Sequence, residues 1–126
     1  KNKIVGTGYN GLPQGCDDDS FPWGKQGDYL QTKYPYVCHA ELNAILNNIG
    51  MDLHGCRIYT VLFPCNECAK AIIQSGITEV IYLSDKYSES DSCNASKRML
   101  STSGIRLRKV NTSIPHVVLS FNESDV

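Results

Sequence analysis

A chain of 126 residues with a formal net charge of −1 is long enough for one hydrophobic core and too short for two domains. The near-neutral balance argues against a nucleic-acid binder, which usually needs a basic face, and no run approaches the roughly 20 apolar residues of a membrane span or the layout of a signal peptide. Six cysteines lack the spacing of a disulfide framework, so a reducing, cytoplasmic setting is expected, and the Asn-x-Ser/Thr triplets starting at Asn94, Asn111 and Asn122 read as chance matches.

Residues Lys3 to Tyr9 alternate weakly around Ile4 and Val5 and read as a short strand entering the turn Asn10-Gly11-Leu12-Pro13. Gly6, Gly8, Gly11 and Gly15 either serve that turn or let the backbone approach another element closely. From Cys16 to Val37 no period is sustained, and a loop this long inside a compact domain is as a rule functional or disordered. Trp23, Tyr29, Tyr34 and Tyr36 favour an ordered flap packed on the body. Asp17-Asp18-Asp19 reads as a solvated acidic stretch, with a divalent cation as the alternative.

His39 to Ile49 carries Leu42, Ile45, Leu46 and Ile49 at helical spacing, with Gly50 as a stop. Arg57 to Phe63 predicts a buried strand, Cys65 to Ser75 a helix ended by Gly76, and Glu79 to Ser84 a second buried strand. That is a βαβ unit, with parallel strands and a right-handed crossover. Asp91 to Ser103 reads as a helix ended by Gly104, and Ile105 to Val110 and His116 to Phe121 as strands, with Arg106, Arg108 and Lys109 solvated. Asn122 to Val126 reads as a disordered tail. The fold class is α/β, in one domain over residues 1–126.

Two segments carry the chemistry: Cys38-His39-Ala40-Glu41 and Phe63-Pro64-Cys65-Asn66-Glu67-Cys68. A His-x-Glu followed by Pro-Cys-x-x-Cys is the pattern of zinc-dependent nucleobase deaminases. Catalytic zinc takes three protein ligands and leaves its fourth position to water; His39, Cys65 and Cys68 are the three. The Cys65-x-x-Cys68 gap lets both sulfurs converge at a helix start, and Pro64 suits the turn ahead of it. Glu41, two residues beyond His39, points away from the ligand direction and is free to carry protons. On its own the Cys-x-x-Cys would also fit a redox pair or half a structural zinc knuckle. Cys38 is the neighbour that could close the site, although adjacent helix residues diverge by about 100°. The ligands fall at the carboxyl end of the first βαβ strand, where open α/β sheets bind ligands.

Gly8-Tyr9-Asn10-Gly11-Leu12-Pro13, Tyr34-Pro35-Tyr36-Val37-Cys38-His39-Ala40-Glu41-Leu42-Asn43-Ala44, Leu62-Phe63-Pro64-Cys65-Asn66-Glu67-Cys68-Ala69-Lys70 and Ser84-Asp85-Lys86-Tyr87 closely resemble the eukaryotic deoxycytidylate (dCMP) deaminases. The resemblance covers nearly the whole chain. It implies the cytidine-deaminase fold, a three-layer arrangement with a mixed five-stranded sheet between helices, assembled as a homo-hexamer. It implies one zinc ion and hydrolysis of dCMP to dUMP and ammonia, supplying thymidylate synthesis. Glu41 would take a proton from water, give one to N3 of cytosine, and then carry one to the leaving amine. It further implies that Asn10 meets the sugar hydroxyl, the Ala40 N–H the base carbonyl, and Asn43 and Tyr87 the sugar-phosphate side. Control by dCTP and dTTP with Mg2+ would act through Tyr9, Asn10 and Gly11. The Gly-rich loop, Lys25 and Lys86 are the available donors to a phosphate, although Gly24 stands where relatives often place a first basic residue after the tryptophan.

The rival readings are a zinc deaminase of free cytidine or of a tRNA or DNA base, and a catalytically idle nucleotide-binding relative or truncated isoform. Free-cytidine enzymes typically show Cys where His39 stands, and an idle relative has no need of Glu41. In the fold the resemblance implies, a helix and a first strand precede the Lys3-to-Tyr9 strand, with that first strand lying between it and Arg57 to Phe63. The chain is therefore expected to be incomplete at its amino terminus, and unstable and inactive alone.

Overall fold

The computed structural model describes residues 2–125. Its elements in order are α1 (Ala40–Leu46), β1 (Arg57–Leu62), α2 (Asn66–Gln74), β2 (Glu79–Ser84), α3 (Asp91–Thr102) and β3 (Arg106–Lys109). Two successive βαβ units build a parallel sheet in the order β1-β2-β3, so the α/β architecture and the parallel pairing of the first two strands are as expected. The register sets Ile58, Val80 and Leu107 in one row across the sheet. Ala69 and Ile72 of α2, and Cys93 and Leu100 of α3, join Ile58 and Val80 with Phe63 and Ile77 to form the core. Ile72, Val80 and Leu100 have no exposed surface, and burying each such side chain stabilises the fold by about 1.5–3 kcal/mol.

The helices start and stop by local chemistry. Ser90 Oγ accepts the Cys93 N–H at 3.2 Å and caps α3. Gly76 and Gly104 follow α2 and α3 with φ of 84° and 81°, left-handed conformations that glycine adopts without a Cβ penalty. The basic residues of β3 lie on solvated surfaces as expected. Arg106 and Arg108 reach Glu79 at 3.9 and 3.4 Å, and Lys109 reaches Asp85 at 3.1 Å. Among the described residues no helix is long and apolar enough to cross a membrane.

Two expected strands do not form. Residues 3–9 join no ladder and instead lie close against α1 and the turn after it. A Cβ at Gly6 or Gly8 would collide with the carbonyls of Ala44 or Ala40, and the Ile49 N–H donates to the Val5 carbonyl at 3.1 Å. The glycines thus serve close approach, and a cavity of about 700 Å³ separates residues 2–8 from Gly55 to Tyr59. Residues 116–121 also join no strand ladder, with Val117 and Phe121 at 78% and 93% exposure. Strand propensity is largely side-chain packing on a sheet, and the side chains of this segment are exposed. The sheet therefore has three parallel strands among the described residues, not five of mixed direction.

The flap over residues 16–37 is ordered but packs mainly on itself. Phe21 and Tyr36 meet edge-to-face at 5.2 Å, the Tyr36 hydroxyl donates to the Leu30 carbonyl, and Thr32 is buried. Trp23, Tyr29 and Tyr34 remain exposed, contrary to the expectation that they pack on the body. α1 ends at Leu46, short of the expected Ile49, and both of those side chains are exposed. In the tail, Glu123–Asp125 form a 3-10 turn; Val126 and Lys1 lie outside the described residues.

Candidate metal centre and its cavity

Two helix starts face each other. His39 is the N-cap of α1 and Cys65 the N-cap of α2, and the Cys65 sulfur accepts the Cys68 N–H at 3.4 Å. Pro64, fully buried, sets the turn ahead of α2. His39 Nδ1 stands 3.4 Å from the Cys65 sulfur and 3.6 Å from the Cys68 sulfur. Zinc arms of about 2.0–2.3 Å in tetrahedral array give an edge of about 3.5 Å, so the three groups fit one zinc ion, with His39 presenting Nδ1. All three ligand atoms lie within 4.8 Å of one another, and among the described residues this His/Cys/Cys group contains no fourth member. Cys38, which could have closed the site, is held in a backbone pair with Gly11, its N–H donating to the Gly11 carbonyl at 2.8 Å.

The electrostatics suit a cation. Hydrogen bonding from the Cys68 side chain first, and from His39 second, holds the Cys65 thiol down at about 4. The same bond to Cys65, reinforced by burial, pushes the Cys68 thiol up. The His39 ring is raised, chiefly by its bond to Cys65. Two sulfurs sharing one proton beside an imidazole form a donor set that a divalent metal would deprotonate fully. Glu41 lies in the first turn of α1 and accepts from the Cys68 thiol at 3.9 Å. Burial raises its carboxyl above the ordinary range.

A cavity of about 400 Å³ opens at this cluster, at the carboxyl ends of β1 and β2 as expected. Val61, Leu62, Phe63 and Pro64 give it apolar walls; Asn10, His39, Glu41 and Cys65 border it, and so do Asp85, Lys86, Tyr87 and Ser90 from the β2–α3 loop. Asn10, Glu41 and Tyr87 thus come together. Asn10 Oδ1 accepts the Ala40 N–H at 2.9 Å, so these two anticipated substrate contacts are bonded to each other. Asn43 does not line the cavity; its side chain donates to the Tyr9 carbonyl at 2.8 Å and ties the 9–11 loop to α1. Tyr9 is 83% exposed and Gly11 is engaged with Cys38. The sequence reading missed Ser92, whose hydroxyl donates to Asn66 Oδ1 at 2.9 Å and accepts the Asn66 N–H, joining the starts of α2 and α3 beneath the cavity. Nothing in its spacing marks that partner, which lies 26 residues away.

Residues 1–84 match the family model of the cytidine and deoxycytidylate deaminase zinc-binding region. The chain is 53% identical over 123 residues to the deoxycytidylate deaminase of Homo sapiens, covering 97% of this chain and 69% of that protein. It is 55% identical over 115 residues to the probable deoxycytidylate deaminase of Drosophila melanogaster, covering 86% of this chain and 57% of that protein. In fold it is similar to the crystal structure of dCMP deaminase from the cyanophage S-TIM5 in complex with dCMP and dUMP. The TM-score is 0.61 at 24% identity, over 82% of this chain and 70% of that one.

Proposed function

Since the chain belongs to the cytidine and deoxycytidylate deaminase family, we propose that it hydrolyses dCMP to dUMP and ammonia. The observation that carries this reading is the meeting of His39 Nδ1 with the Cys65 and Cys68 sulfurs at tetrahedral edge lengths, beside Glu41 and at the wall of one cavity. When bound, zinc supplies the Lewis acidity that lowers the pKa of water from about 15.7 towards about 7.

The chain's own residues do the rest. Glu41, held near the sulfurs, takes the proton from water as its oxygen adds to C4, and protonates N3 of the cytosine. The same carboxylate then takes the proton of the new C4 hydroxyl and passes it to the C4 amine, which leaves as ammonia as the C4 carbonyl forms. A carboxyl raised by burial suits a group that must hold the proton between these transfers. The apolar run Val61 to Pro64 shelters the ring from bulk water.

The Ala40 N–H donates to the base carbonyl once Asn10 turns to the sugar hydroxyl, and Tyr87 borders the sugar-phosphate side. The support for Asn43 is as a clamp on the loop. Effectors of the dCTP and dTTP kind, with Mg2+, act through Tyr9, Asn10 and Gly11. That segment is bonded to α1 at Ala40 and Asn43, so a ligand that moves it moves the helix carrying Glu41. A cytoplasmic homo-hexamer, each copy a single deaminase domain, completes the reading. Zinc content measured with ammonia release from dCMP, CMP and deoxycytidine tests the function. Stoichiometric zinc with dCMP turned over fastest supports it. A zinc-loaded chain that releases no ammonia from any of the three overturns it.

A further inference from the structure

If the substrate is a nucleotide, as proposed above, its 5′-phosphate dianion is favoured by a cation within the cavity. Resting on that reading, we infer that Lys86 is the residue that selects the nucleotide over the nucleoside. The sequence offers Lys25 and Lys86 as donors, and the structure separates them. Lys25 lies exposed on the flap and does not border the cavity, whereas Lys86 lines it on the loop between β2 and α3 and is the one Lys or Arg among its lining residues.

Its charge is also uncommitted. The neighbouring carboxylate, Asp85, is taken by Lys109 at 3.1 Å and Lys97 at 3.8 Å. Among the described residues no carboxylate lies within ion-pair distance of the Lys86 ammonium. It rests instead 5.2 Å from the centre of the Tyr87 ring, a cation–π contact that orients the charge without neutralising it. Asp85 is thereby compensated by two other lysines, which leaves Lys86 a cation of the cavity lining with no carboxylate paired to it among the described residues. A phosphate dianion there gains a charge-assisted hydrogen bond that the hydroxyl of a nucleoside cannot form.

Specificity constants for dCMP and deoxycytidine, measured with the parent chain, Lys86→Gln, Lys86→Arg and Lys25→Gln, test this. The ratio of the two constants falls by about 10- to 100-fold in Lys86→Gln, the size of one hydrogen bond to a charged group. Lys86→Arg keeps most of the ratio, and Lys25→Gln keeps it within about threefold. Calorimetric binding of dUMP against deoxyuridine reads the same contact without turnover and shows the same pattern. A Lys86→Gln chain with the parent's preference, or a larger loss in Lys25→Gln, overturns the role of Lys86 and leaves the proposed reaction standing. A parent chain that deaminates neither substrate overturns the reaction, and the dUMP titration then still decides Lys86.

Discussion

Residues 57–109 and residues 2–46 each supply part of one site, yet they are held in place differently. The first stretch is a closed set of β1, α2, β2, α3 and β3, with ladder partners and a core of fully buried side chains. It carries Cys65 and Cys68. The second carries His39 and Glu41 on α1, a helix of seven residues with no buried side chain. Isolated helices of that length are marginal, and α1 is fixed by glycine contacts with residues 6 and 8, by the Asn43 and Asn10 bonds, and by its packing on α2. A zinc ion at His39, Cys65 and Cys68 would tie α1 to the frame of residues 57–109, and would thereby act as a staple for the helix that carries Glu41 as well as a reagent.

Substitutions can break this contrast at graded strength. Cys68→Ser removes a ligand that is both buried and bonded to Glu41. Zinc content is expected to fall well below one per chain and ammonia release to background, while circular dichroism of the frame is retained. Leu100→Ala strikes the rigid half and is expected to cost about 2–5 kcal/mol in chemical denaturation, lowering the stability of both halves together. Glu41→Gln leaves the ligands untouched; turnover drops at least about 100-fold with zinc still stoichiometric. Near-normal turnover in that variant would contradict the proton-carrier role. Asn43→Ala, the mildest, loosens the clamp on Tyr9 by about 0.5–1.5 kcal/mol. It should raise amide exchange in the 9–11 loop without displacing zinc.

The two halves also differed in how far the sequence disclosed them. β2 is found where the apolar run Val80-Ile81-Tyr82-Leu83 predicts it, and α2 and α3 end just ahead of Gly76 and Gly104 as read. In such elements periodicity, cap and stop agree locally. The metal ligands were legible for the same reason, since Cys-x-x-Cys at a helix start and His-x-Glu are short-range patterns. Residues 3–9 and 116–121 carry strand-like residues too, but whether a strand forms depends on the packing its side chains find against neighbours, and that is a property of the assembled sheet. The bonds of Asn10 to Ala40 and Asn43 to Tyr9 span 30 and 34 residues, a separation at which spacing says nothing about partners.

Native-state hydrogen exchange with and without a zinc chelator tests the stapled site most directly. The account predicts that the amides of Asn43 and Asn47, which close the turns of α1 onto the His39 and Asn43 carbonyls, are protected only in the zinc-loaded chain. Those of Val80 to Tyr82 in β2 should stay protected in both. Equal protection of α1 with and without the metal would contradict it.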